Sequence, residues 1–197
     1  MPDDLAYLSV DTPLGVFLVA ERDGALKGGW FEGQKYFPAI SPEAGWRKAA
    51  TPLLHEAGRQ LDAYFAGELT HLEMPLAPEG TAFQQQVWRA LCAVPYGETT
   101  TYAALARAIG RPEAFHPVGA AVGRNPISLF VPCHRALGSN GSLTGYAGGL
   151  ARKRWLLITK DASAACSIEP GMTAPTRMPC RAALASRCRS RRRAAAA

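Results

Sequence analysis

The chain has 197 residues, 48% of them hydrophobic, enough for one large or two small packed domains. No apolar run approaches the roughly 20 residues that span a bilayer, and no early stretch has the basic flank, apolar core and cleavage site of a secretory leader. A soluble, unprocessed, cytoplasmic protein is expected. The net charge of +6 is unevenly divided, with six basic against eleven acidic residues over 1–78, eight against three over 79–157, and eight against two over 158–197. Only the last two blocks could draw in a polyanion, and most basic excesses of this size are solvated surface, so charge alone does not assign nucleic-acid binding.

Residues 5–31 read as strands broken by turn signals at Thr12-Pro13-Leu14-Gly15 and, more specifically, at Asp23-Gly24 between two apolar runs. An antiparallel meander follows. Residues 52–66 open with proline and place Leu54, Leu61 and Phe65 near one helical face, which predicts a helix packed on that sheet. His55 within it is expected to be a surface side chain. The stretch 67–80 reads as a linker.

Thr81 followed three residues later by Gln84 makes a capping-box signature, opening a helix that buries Phe83, Val87, Trp88 and Leu91. Pro95 and Gly97 end it. A second helix carries Tyr102, Leu105, Ala106 and Ile109 at i, i+3, i+4 and i+7 and stops at Gly110 and Pro112. A third, roughly Ala114 to Gly123, completes the pattern of a helix-turn-helix, which on spacing alone is weak. Beyond Leu157 the composition shifts to three of the five cysteines, no aromatic residue and an arginine-alanine finish, and a disordered basic tail is expected over 158–197.

The five cysteines are an odd number without a CxxC pair, which fits neither a disulfide framework nor a zinc knuckle and points to a reducing compartment. A lone cysteine is by default a small buried hydrophobe. Cys133 does not stand alone: His134 offers a neighbouring base, Pro132 restrains the backbone before it, and the apolar Ile127–Val131 run would hold the turn on a strand. Adjacent residues on a strand point to opposite faces, so His134 could serve the sulfur only through a turn or a bridging water.

The motifs "FQQQVWRAL", "VPYGETTTYAALA", "VGAAVGRNP", "VPCHR", "GYAGGL" and "KRWLL", in that order, resemble those of the O6-alkylguanine-DNA alkyltransferases. The likeness runs from about residue 5 to Leu157. It implies an α/β protein of two domains, a ribonuclease-H-like antiparallel sheet with a helix over 1–78 and a winged-helix-type DNA-binding catalytic domain over 79–157. It also implies a suicide reaction, in which a methylated guanine is rotated out of the duplex and Cys133 takes the methyl group. The partner is then double-stranded DNA carrying O6-alkylguanine, the chain acts as a monomer without touching membrane, and no metal or cofactor is needed because the nucleophile is consumed.

By position, Tyr102 matches the tyrosine that helps turn the nucleotide, Asn125 the asparagine bracing the active-site turn, and His134 the water-linked base. Tyr146, with the backbone of Ala147 and Gly148, matches the floor that reads the guanine edge, with Tyr146 as proton donor and the glycines small so that backbone can approach the purine. Arg124, Arg135 and Ser139 complete the expected DNA-facing set.

Two positions depart from the family pattern. His116, followed by Pro117, stands where an arginine fills the gap left by the extruded base, and a mostly neutral imidazole makes a weaker plug. Lys160 stands where a glutamate completes the relay behind the histidine, and an ammonium there opposes imidazolium formation. These departures keep open a binding module that holds alkylated DNA without removing the alkyl group. A cysteine hydrolase is the poorest reading, since no oxyanion-hole signature accompanies Cys133 and His134.

Overall fold

The computed structural model describes residues 4–159. Strands β1 (Leu5–Thr12), β2 (Gly15–Arg22) and β3 (Ala25–Phe31) form the meander, joined at Asp23 and Gly24 by a tight turn with both residues at positive φ, 57° and 73°. This is the backbone that Asp-Gly favours, because its twist matches that of the flanking strands. The sheet is not purely antiparallel. A short strand β4 (Trp46–Lys48) pairs parallel to β1, giving the order β3-β2-β1-β4. Three residues carry no readable alternation, and only the return of residues 32–45 across the sheet places them there.

Helix α1 (Pro52–Ala66) is capped by Thr51, whose hydroxyl accepts from the Leu54 amide, and ends at Gly67 in the left-handed region. It buries Leu54, Ala57, Gly58, Leu61 and Tyr64, and packs against β1 and β2. Phe65 is only partly buried, stacked at an angle on Trp155. His55 is exposed. Residues 67–80 hold no helix, and within them Leu76 makes a single bridge to Leu26 on β3.

The capping box at Thr81 and Gln84 is formed, opening α2 (Ala82–Cys92). Val87, Trp88 and Leu91 are buried, whereas Phe83 is only partly covered, under the guanidinium of Arg111. Then come a short strand β5 (Thr100–Thr101), α3 (Tyr102–Ala108) and α4 (Phe115–Gly123). The Trp88 indole N–H donates to the Ala121 carbonyl, 2.9 Å, fixing α4 against α2. Pro117 lies in the first turn of α4, where a missing amide costs nothing. Strand β6 (Ala136–Leu137) pairs parallel to β5, and α5 (Leu150–Thr159) closes the described chain. Ile158 and Thr159 are therefore helical rather than tail; the remainder of that stretch, Lys160 included, lies outside the described residues.

The sheet half and the helical half share one core. Phe17, Phe31, Leu54 and Leu61 from the first belong to the same buried cluster as Val87, Trp88, Ile127, Val131 and Cys133 from the second. The edge of β3 makes the join, with the Gly29 amide donating to Pro126 O at 2.9 Å and the Ser128 amide to Gly29 O at 2.8 Å. The thiol-bearing segment thus sits directly on the sheet's edge.

Candidate active site

The run Ile127–Val131 is a tight turn rather than the expected strand. The Val131 amide donates to Ile127 O at 3.0 Å, and Leu129 takes a left-handed φ of 70°. Non-glycine residues adopt that conformation only when their surroundings impose it. Asn125 is the imposing group here: buried, it donates from Nδ2 to Val131 O at 3.0 Å and accepts the Ile127 amide on Oδ1 at 3.0 Å. Nδ2 also points at the Cys133 sulfur, 3.0 Å away.

Cys133 opens a 3-10 turn, Cys133–Arg135, so Cys133 and His134 do not alternate as they would on a strand. Both are inside the protein, Cys133 2% exposed and His134 0%. Burial pushes the Cys133 thiol up from its ordinary value, and the Asn125 hydrogen bond and the charge of Lys153 oppose that push. Sequence reasoning passed over Lys153, although it sits inside the "KRWLL" motif. Its ammonium is fully buried, donating to Ala136 O at 2.5 Å and Thr144 O at 2.7 Å, and burial lowers it from 10.5 to about 8. A lysine on a helix reads as surface until the fold turns it inward.

Beyond that thiol opens a cavity of about 580 Å³ lined by Tyr102, Phe115, His116, Ser139, Thr144 and Gly145, among others. The Tyr102 hydroxyl donates to Thr144 O at 2.9 Å from the cavity side, while Lys153 reaches the same carbonyl from within. The Thr144–Gly145 backbone is therefore a thin wall between cavity and thiol; burial pushes the Tyr102 phenol up, and charge on Cys133 adds to that push. Gly145 is at φ 55°, and a Cβ there would lie 3.1 Å from the Tyr102 oxygen, so this glycine keeps the wall clear.

The other expected site residues separate into two groups. His116 and Ser139 are exposed on the cavity, and Arg124 is exposed at the end of α4, its guanidinium over the Tyr36 ring at 5.3 Å. Arg135, expected to face DNA, instead runs inward: it is 5% exposed, donates to Val94 O at 3.0 Å and lies over the Tyr96 ring. Tyr146, expected at the base-reading floor, does not line the cavity either. Its hydroxyl is buried, and burial holds its pKa well above the ordinary value of 10. Gly148 is small for an internal reason: a Cβ would meet the Tyr146 ring at 2.5 Å. The carbonyls of Ala147 and Gly148 are engaged by the Lys35 amide, 3.0 Å, and by Arg152 Nη1, 3.1 Å. Phe115, not singled out by the motifs, stands 42% exposed beside His116, the only signal in the sequence being an aromatic at the start of the helix. Among the described residues no group of three or more His, Cys, Asp or Glu is arranged to hold a metal.

Fold and site together define an α/β protein in which a helix-turn-helix fronts a buried, hydrogen-bonded cysteine. Two family models match it: "6-O-methylguanine DNA methyltransferase, ribonuclease-like domain" over residues 5–78 and "6-O-methylguanine DNA methyltransferase, DNA binding domain" over residues 82–161. The chain belongs to the 6-O-methylguanine DNA methyltransferase family. It is 47% identical over 156 residues to the methylated-DNA--protein-cysteine methyltransferase of Methanosarcina barkeri, covering 79% of this chain and 96% of that one. It is 46% identical over 153 residues to the protein so named from Mycolicibacterium paratuberculosis, covering 78% and 90%. The crystal structure of Mycobacterium tuberculosis OGT in complex with DNA superposes with a TM-score of 0.73 at 41% identity, covering 80% of this chain and 94% of that chain.

Proposed function

We propose that this chain repairs alkylated double-stranded DNA by taking the methyl group of O6-methylguanine, and less readily of O4-methylthymine, onto its own Cys133. The observation that carries the reading is a single sulfur behind a helix-turn-helix cavity, with an amide donor at 3.0 Å and a buried ammonium to support its anion. The names of the relatives and the DNA bound to the M. tuberculosis structure support it.

A methyl group on a stacked base cannot reach a thiol that is 2% exposed, so the nucleotide must leave the duplex and enter past Thr144 and Gly145. The Cys133 thiolate then attacks the methyl carbon. The sulfur–carbon bond forms as the carbon–O6 bond breaks, the electron pair leaves on the guanine, and a proton delivered to the base releases guanine as a neutral molecule. The phenol placed on the cavity is that of Tyr102. His134, next to Cys133 in the chain and buried with it, is the group to receive the thiol proton through a bridging water, and Asn125 holds the turn. His116, Ser139 and Arg124 meet the DNA. Residues 1–78 form the supporting domain and 79–157 the acting one, in a monomer working in the cytoplasm; no helix among the described residues is long and apolar enough to cross a membrane.

Incubation of the full chain with methylated duplex, followed by mass analysis of the peptide holding Cys133, tests this. One added methyl group is expected, and none with Cys133→Ser. Lys160, at the place of the relay glutamate, favours a second reading, in which the chain binds such DNA and transfers slowly. Retention of the duplex by an unmodified protein, with transfer accelerated in Lys160→Glu, is what that reading requires.

A further inference from the structure

The spacing of α4 puts Phe115 on the same stripe as Val118 and Val122, both of which are buried. A core role would bury Phe115 too. Instead its ring is 42% exposed at the tip of the helix, 4.4 Å from the His116 ring at an interplanar angle of 40°, and both rings border the cavity with Tyr102. An apolar ring held in water at the mouth of a site whose substrate must be unstacked has a natural use. Extruding a nucleotide leaves a gap one base thick in the duplex, and proteins that distort DNA commonly fill such gaps with apolar wedges.

Resting on the function proposed above, we infer that Phe115 is the wedge: its ring enters the duplex where the methylated guanine has left and stacks on the neighbouring bases, with His116 packed behind it. His116 is then a brace for the wedge and not the plug itself. Phe115 is a better plug than the imidazole, because the gap between stacked bases is dry and apolar, and a benzene ring has no polar group to desolvate on entering it. The side chain needs no partner on its far side, which agrees with its exposure in the free protein.

The test separates gap filling from every other role. Single-turnover methylation of Cys133 is followed with O6-methylguanine in a duplex and in a single strand of the same sequence, where no gap forms. The duplex-to-single-strand rate ratio should fall roughly 10- to 100-fold in Phe115→Ala, as expected for a lost base–aromatic stack, and should recover in Phe115→Trp. His116→Ala should lower it less. A ratio unchanged in Phe115→Ala, including an equal loss on both substrates, overturns the inference, as does failure of the tryptophan to restore it. Absence of methylation of the unaltered protein by the duplex and the single strand alike would instead sink the proposed function.

Discussion

Lys153 shows how one side chain ties stability to chemistry. Burial lowers its ammonium to about 8 from 10.5, so below about pH 8 the native state carries a buried charge that the unfolded chain hydrates freely. Between those values the native lysine is neutral while the unfolded one is still protonated, so its contribution to stability rises with pH across that window. Cys133, raised above 9.0, works in the opposite sense from about there upward, because the unfolded chain ionises first. From about pH 8 to about pH 9, urea unfolding should therefore show the parent gaining roughly 1 kcal/mol relative to Lys153→Met. In catalysis the charge has another effect. Its proximity favours the thiolate, so the same substitution should slow methyl transfer and move the rising limb of the pH–rate profile upward. A profile that does not move would show that the ammonium serves only Ala136 O and Thr144 O. None of this was visible in the sequence, where a lysine between two arginines in 152–154 reads as surface.

At the scale of elements, the caps and turns were legible because their signals are local. Asp23-Gly24 and the Thr81–Gln84 box each act over four residues or fewer. Both hydrogen bonds of that box are present, Gln84 N–H to Thr81 Oγ1 at 3.2 Å and Thr81 N–H to Gln84 Oε1 at 2.8 Å. Thr81→Ala should cost about 1 kcal/mol of stability, read by chemical denaturation, without altering the rate of Cys133 methylation in protein that remains folded. The misread element is Ile127–Val131. A five-residue apolar run is equally a strand or a buried turn, and what decides here is a side chain outside the run, Asn125, whose amide takes the bonds a neighbouring strand would have taken. β4 escaped notice for the converse reason, since its three residues are a strand only through pairing with β1.

Over the whole molecule, the two halves share one core even though their charges are opposite in sign. Phe17 and Phe31 on the sheet close over the cluster that holds Ile127, Val131 and Cys133, and β3 hydrogen-bonds the segment that carries them. The full chain should therefore unfold in a single thermal transition by both near- and far-ultraviolet circular dichroism. A fragment beginning at residue 79 should lack near-ultraviolet structure, because it would expose the underside of the thiol turn to water. Two resolved transitions, or a folded and methylatable fragment, would show that the sheet is only an attachment.

By itself the sequence determined the family, the meander and the helix-turn-helix and singled out Cys133 as the candidate sulfur, because those rest on short-range turn chemistry, helical periodicity and a long ordered set of motifs. Only the tertiary structure decided which side chains face the cavity. Arg135 and Tyr146 turn inward, Lys153 is buried beneath the thiol, and Phe115 is left in water. The direction of a side chain depends on what the rest of the chain packs against it, and that is a property of contacts distant in sequence.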